Sequence, residues 1–140
     1  MKIYNADGIL LGRLCSLVAK DLLLGEEVKI LNCEKVMISG ARTEVFANMK
    51  QKQDRRGYPL KSAKRPRTSE LFVKKVVRGM LPWRTARGKE AYTRLKCYIG
   101  VPEEFSNQKT ITFEKASYKK LPNLKYITVR EVIKHLGGKQ

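Results

Sequence analysis

Six cationic side chains, Arg55, Arg56, Lys61, Lys64, Arg65 and Arg67, fall inside the stretch RRGYPLKSAKRPRTS (residues 55–69), which holds no carboxylate. Guanidinium groups offer planar forks of donors and ammonium groups offer point charges, so the chemistry open to this set is neutralisation of a polyanion. Pro59, Pro66 and Gly57 exclude a helix here, because proline lacks an amide donor and clashes with the preceding turn. The charges therefore belong to an extended arm or loop, not to one face of a regular element. Two further basic sets follow. Lys74, Lys75 and Arg78 lie opposite Phe72, Val73, Val76, Val77 and Met80 in ELFVKKVVRGM, and Arg84, Arg87, Lys89 and Arg94 lie in RTARGKEAYTRLKC. Tyr58, Trp83 and Tyr92 are interleaved with them. They either stack on bases or sugars or pack inward, and for Trp83 and Tyr92 packing is the expectation, since aromatics on such helices mostly pack.

The charge is concentrated. Residues 1–49 carry six basic and six acidic side chains, residues 50–96 sixteen against three, and residues 97–140 eight against four, within a chain of 140 residues and net charge +17. An imbalance of this size speaks to partners rather than to fold, and the partners it selects are polyanions. An isolated run such as KRPR is ordinarily a solvated face or an import signal, but a run of this length would repel itself without a counter-charge. No helix–turn–helix, zinc-finger or basic-zipper pattern is present, and an irregular arm beside a compact core suits folded RNA.

Other chemistries find less support. Cys15, Cys33 and Cys97 are odd in number and widely spaced, with no CxxC pair, so free buried thiols in a reducing compartment are expected, with no metal. The DGILLG turn before a helix carries only Gly8 and Gly12 of the G-x-G-x-x-G that a dinucleotide requires, even though Glu34 sits near the place of a ribose-binding acid, and no cofactor is expected. The single His135 falls opposite Val132 and Ile133 near a helix end and reads as solvated. The carboxylates cluster only in GEE (25–27) and PEE (102–104), a loop and a turn. No catalytic residue, enzymatic activity or small-molecule substrate is assigned.

The elements that position these residues follow from periodicity. KIYNA (2–6) reads as a strand, and Leu11, Leu14, Cys15, Val18 and Leu22 repeat at helical spacing until Gly25. VKILNC (28–33) is a strand and KVMIS (35–39) a further one. Strand, helix and strand within 33 residues form a βαβ unit with parallel strands, the start of an α/β fold. TEVFANMKQKQ (43–53) is helical, with Val45, Phe46 and Met49 inward. Thr68 or Ser69 caps the next helix, which Pro82 ends. Gly88 weakens the helix of residues 84–97 by roughly 1 kcal/mol relative to Ala. KCYIG (96–100) is a strand, TITFEKA (110–116) is read as another, and TVREVIKHL (128–136) is a short helix. The length fits one domain over 1–140: a βαβ core in 1–54, basic arm and helices in 55–96, and a strand with a C-terminal tail in 97–140. The N-terminus has no signal-peptide pattern, and Arg13, Lys20 and Asp21 interrupt the most apolar stretch, so a cytoplasmic protein without a membrane partner is expected.

Three blocks, DGILLGRLCSLVAKDLLLGEEVKILNCEKVMISG (7–40), RGMLPW (78–83) and RLKCYIGVP (94–102), stand in an order and spacing that resemble the large-subunit ribosomal protein thirteen family, over roughly residues 1–105. The basic arm and the tail are similar to the archaeal and eukaryotic branch. Bacterial members carry a His-containing stretch where this chain reads VPEEFSNQ. The resemblance implies a three-layer α/β/α domain on a mainly parallel sheet of about four strands. It also implies a structural role on the ribosome: binding large-subunit rRNA, supporting its assembly and touching neighbouring large-subunit ribosomal proteins. The arm of 55–67 would then enter RNA and be ordered by its phosphates. Gly8, Gly12 and Gly79 read as turns and close packing. Arg13 either reaches RNA or covers the helix surface. Two alternatives stay open: a non-ribosomal RNA-binding regulatory protein using the same basic face, and a nucleotide-dependent enzyme using residues 7–13.

Overall fold

Leu14, Cys15, Val18 and Leu22 are fully buried along one side of helix α1 (Leu11–Leu23), the stripe that their spacing requires. The computed structural model describes residues 1–57, 61–62 and 66–138. Helix α1 ends in a Schellman arrangement: Gly25, at φ +97°, donates to the Leu22 carbonyl and Glu26 donates to that of Asp21. The chain can then reverse into β2 (Val28–Leu31), which lies parallel to β1 (Lys2–Asn5) with Lys2 opposite Val28 and Asn5 opposite Leu31. This is the expected βαβ unit. A later strand, β6 (Leu95–Cys97), pairs parallel with the other edge of β2, giving the order β1-β2-β6. The fold is α/β.

The intervening residues supply β3 (Met37–Ser39), α2 (Arg42–Asp54), the two-residue strands β4 (Arg56–Gly57) and β5 (Lys61–Ser62), α3 (Ser69–Met80) and α4 (Ala86–Thr93). After β6 come β7 (Tyr126–Thr128) and α5 (Val129–His135). Strand β3 leaves the parallel sheet and pairs antiparallel with β7, which ties the tail to the first third of the chain. Thr128 and Glu131 close a reciprocal capping box at the start of α5.

Because side chains alternate along a strand, register decides which face each one joins. Tyr4, Val28, Ile30 and Leu95 share the face covered by α1 and α3, with Phe72, Val73 and Val77 reaching in from α3. Ile3 and Leu31 share the opposite face with Phe105, Tyr98 packing against them, over a 3-10 turn at Glu103–Phe105. Lys29 and Lys96 fall side by side on that second face, and the Lys29 ammonium lies 4.4 Å from the centroid of the Phe105 ring.

Four expectations are corrected. TITFEKA is not a strand: Ile111 makes one parallel bridge to Tyr4 and Glu114–Ala116 is a 3-10 turn, so its β-like composition is spent on a single contact with the edge of β1. The arm is not wholly irregular, since Arg56–Gly57 and Lys61–Ser62 form an antiparallel ladder; proline and glycine exclude helix there but not extended pairing. Thr68 occupies the capping position of α3 but makes no capping bond, and its hydroxyl is buried without a partner among the described residues. Gly12 and Gly79 are neither turns nor close approaches, because an added Cβ at either would meet nothing within 4 Å. Gly8, by contrast, is a genuine turn at φ +66°, pressed against the Tyr118 ring.

Candidate nucleic-acid interface

The corner between α3 and α4 is built around one carbonyl. Pro82 O accepts from the Thr85 amide at 3.0 Å and the Thr85 hydroxyl at 2.9 Å, and that hydroxyl in turn accepts from the Gly88 amide. Thr85 thereby caps α4. Trp83 and Arg84 are carried on this corner.

Lys74 and Arg78, one turn apart on α3, reach the aromatic rings of the corner. The Arg78 guanidinium lies over Trp83, 4.0 Å from the ring centroid, and the Lys74 ammonium lies 5.0 Å from that of Tyr92. Trp83 and Tyr92 meet edge to face with centroids 5.2 Å apart. Tyr92 packs against the main core, as expected, and burial raises its phenol above the ordinary value although Arg78 opposes the shift. Trp83 is half-buried and belongs to neither hydrophobic core cluster.

The other expected residues are placed as follows. Arg55 and Arg67 are exposed at the two ends of the arm, and Arg56 and Lys61 lie in the β4–β5 ladder. Lys64 and Arg65 lie outside the described residues. Lys75 is half-buried on α3; Arg84 and Lys89 are exposed on the corner and on α4. Arg87 is exposed but anchored, donating to the Leu23 carbonyl at 3.1 Å. Arg94 is half-buried with its Nε lacking a partner among the described residues.

Met1, Lys2, Lys35 and Arg42 form ion pairs with Glu26, Asp21, Asp7 and Glu131, all outside the basic middle. Among the described residues, Arg55, Arg67, Lys74, Arg78, Arg84, Arg87, Lys89 and Arg94 take part in no such pair. A face of cations held by rings and carbonyls instead of carboxylates keeps its charge available to an external anion.

Arg13 is resolved toward an intramolecular contact: its Nη1 donates to the Lys115 carbonyl at 3.1 Å, fixing the tail against α1. Two cations that the sequence reading omitted, Lys29 and Lys96, stand on the second sheet face. Their signal was present, since alternation in VKIL and LKC places both outside the core.

The turn at residues 7–13 is used by the protein itself. The Gly8 amide donates to Lys35 O, the Leu10 amide to Ala116 O, and the Gly8 carbonyl accepts from Tyr118. The Gly8 and Leu10 amides are therefore spent on the protein's own backbone. Cys15 and Cys33 are buried and Cys97 is half-buried. Burial pushes the Cys15 thiol up to about 12, and a hydrogen bond with Cys97, then burial, raises that of Cys33. His135 is exposed, as expected, but stacks on Phe46 with ring centroids 4.1 Å apart. Among the described residues no group of three His, Cys, Asp or Glu could hold a metal ion, and no helix is long and apolar enough to cross a membrane.

The sequence model of the family described as ribosomal protein L13 matches residues 1–104. The large ribosomal subunit protein uL13 of Archaeoglobus fulgidus is 43% identical over 136 residues, covering 96% of this chain and 86% of that protein. The protein of the same name from Methanosarcina barkeri is 41% identical over 140 residues and covers 99% of each chain. With the βαβ core, the corner and the tail all falling inside these matches, the chain belongs to the ribosomal protein L13 family.

Proposed function

We propose that the chain is a structural constituent of the large ribosomal subunit, binding large-subunit rRNA through its middle third and supporting assembly of that subunit. The observation that carries this reading is the set of exposed cations around the α3–α4 corner, Arg78, Arg84, Arg87 and Lys89, that form no ion pair among the described residues. The names of its archaeal relatives point to the same particle. Arg55, Arg56, Lys61, Lys64, Arg65 and Arg67 extend the RNA contact from the arm, while Lys74, Lys75, Arg78, Arg84, Arg87, Lys89 and Arg94 supply it from the helices. The βαβ core of 1–54 holds them in place. The tail of 97–140 and the second sheet face are left for neighbouring ribosomal proteins, and the protein resides on ribosomes in the cytoplasm. No residue is assigned a catalytic role.

The test is a salt-titrated binding assay of the full chain against large-subunit rRNA and an unrelated structured RNA of equal length. If 6–10 of these cations meet phosphates, affinity falls by about 10³–10⁵ between 50 and 200 mM salt. A strong preference for the rRNA, with a salt slope reduced by Arg65→Ala and Arg67→Ala, supports the reading. Equal binding to both RNAs defeats the ribosomal claim and leaves the regulator that binds RNA by charge.

A further inference from the structure

We infer that Arg78 and Trp83 form a platform that captures the base of an unpaired nucleotide, so that this corner recognises single-stranded RNA within a folded target. The inference deepens the proposed RNA-binding function and rests on it. Three features of the corner carry it.

The first is how Arg78 is held. An exposed arginine usually turns toward a carboxylate or into water. Here the guanidinium lies over the indole, 4.0 Å from the ring centroid, and forms no ion pair among the described residues. Arg78 nevertheless remains exposed, so its guanidinium stays open to an added ring. An exposed planar cation is a surface on which a base can stack, extending the pile from indole to guanidinium to base.

The second is rigidity. Trp83 sits between Leu81, whose carbonyl accepts the Trp83 amide at 2.8 Å, and the Pro82–Thr85–Gly88 hydrogen bonds. Tyr92 meets the indole edge-on from α4 and is itself packed on the core. A platform fixed before binding loses little freedom when occupied, which favours capture of one base over a diffuse charge contact.

The third is the flanking charge. Lys74 lies over Tyr92, which itself meets the indole edge-on, and the exposed Arg84 follows Trp83 in the chain, so both supply charge near the platform for the phosphates of a stacked nucleotide. A duplex hides its base faces inside the helix, so it can meet these cations but not stack on Arg78. The geometry therefore favours an unpaired strand.

Trp83 is the only tryptophan, so its emission reports directly on the platform. The full chain is titrated with a short oligouridylate and with an RNA duplex of equal nucleotide count, at one salt concentration, following Trp83 fluorescence and, independently, anisotropy of labelled RNA. The expected result is saturable quenching by the single strand and little change with the duplex. Arg78→Lys keeps the charge but removes the plane, and is expected to weaken single-strand binding by about 5–100-fold. The same variant should change duplex binding less than about twofold, because the cation remains. Arg130→Lys, at an exposed position on α5 away from the corner, serves as the second variant and should change both RNAs by less than about twofold. Equal effects of Arg78→Lys on both RNAs, or single-strand binding that leaves Trp83 emission unaltered, overturn the platform while RNA binding stands. Failure to bind either RNA overturns the function beneath it as well.

Discussion

A Cβ on Gly88 would stand 2.1 Å from the carbonyl oxygen of Pro82, far inside any tolerated contact. The helix α4 thus approaches the corner so closely that only glycine fits, and the same carbonyl is the acceptor around which the corner is built. Intrinsic helix propensity favours Ala over Gly by roughly 1 kcal/mol, but here the overlap is with backbone, which cannot swing aside. Gly88→Ala is expected to destabilise the protein by about 1–3 kcal/mol net, read as a lower urea midpoint at unchanged slope.

Gly79 makes the opposite case. It lies inside α3 with nothing within 4 Å of a would-be Cβ and without the left-handed backbone that would demand glycine. Gly79→Ala should stabilise by about 0.5–1 kcal/mol, seen as a rise in thermal midpoint. Gly12→Ala, in equally open space near the start of α1, should do the same. Destabilisation by both substitutions would mean that the two glycines stand in close contact and not in open space.

These glycines show what the sequence could and could not disclose. The α1 stripe and the parallel β1–β2 pair were legible because their signals are local: apolar residues at helical spacing between two short aliphatic strands. The departure of β3 was not, because its partner β7 lies almost ninety residues away and the choice between sheets is made by tertiary contact. The candidate site was legible as charge alone. That Arg13 and Arg87 spend donors on the carbonyls of Lys115 and Leu23, distant in sequence, leaves no trace in spacing. Nor does spacing say that Arg78 lies on Trp83, since that depends on how the corner at Pro82 turns.

Arg84 and Arg87 separate RNA contact from stability. Arg84→Ala removes an exposed cation from the corner; its expected effect is a salt slope for rRNA binding reduced by about 1, with the thermal midpoint unchanged. Arg87 also donates to Leu23 O, at the C-terminal end of α1 where the helix dipole favours a cation. Arg87→Ala should lower the salt slope similarly and, in addition, cost about 0.5–1.5 kcal/mol of stability. A stability loss for Arg84→Ala equal to that for Arg87→Ala would contradict this division.

Asp21, in the last turns of α1, ties that helix to β1, accepting from the Tyr4 hydroxyl and, at 2.9 Å, from Lys2. Burial works against its charge, but the bonds from Tyr4 and Lys2 prevail and hold its carboxyl below the ordinary 3.8. A depressed folded value means that the stability from this group is present above pH 3.8 and is lost as pH falls through the folded value. Tyr4 runs the other way: burial first, then Asp21, raise its phenol above the ordinary 10.0, so its contribution is present below pH 10.0 and lost as pH climbs toward the raised value. The bond from Asp21 likewise raises Lys2 above 10.5, adding to the alkaline loss. Asp21→Ala leaves the Tyr4 hydroxyl, on a residue only 2% exposed, without its acceptor. The cost expected at neutral pH is about 1–3 kcal/mol. Urea denaturation across pH would show a shallower acid decline in the variant than in the parent protein, and parallel acid limbs would remove Asp21 as the titrating group.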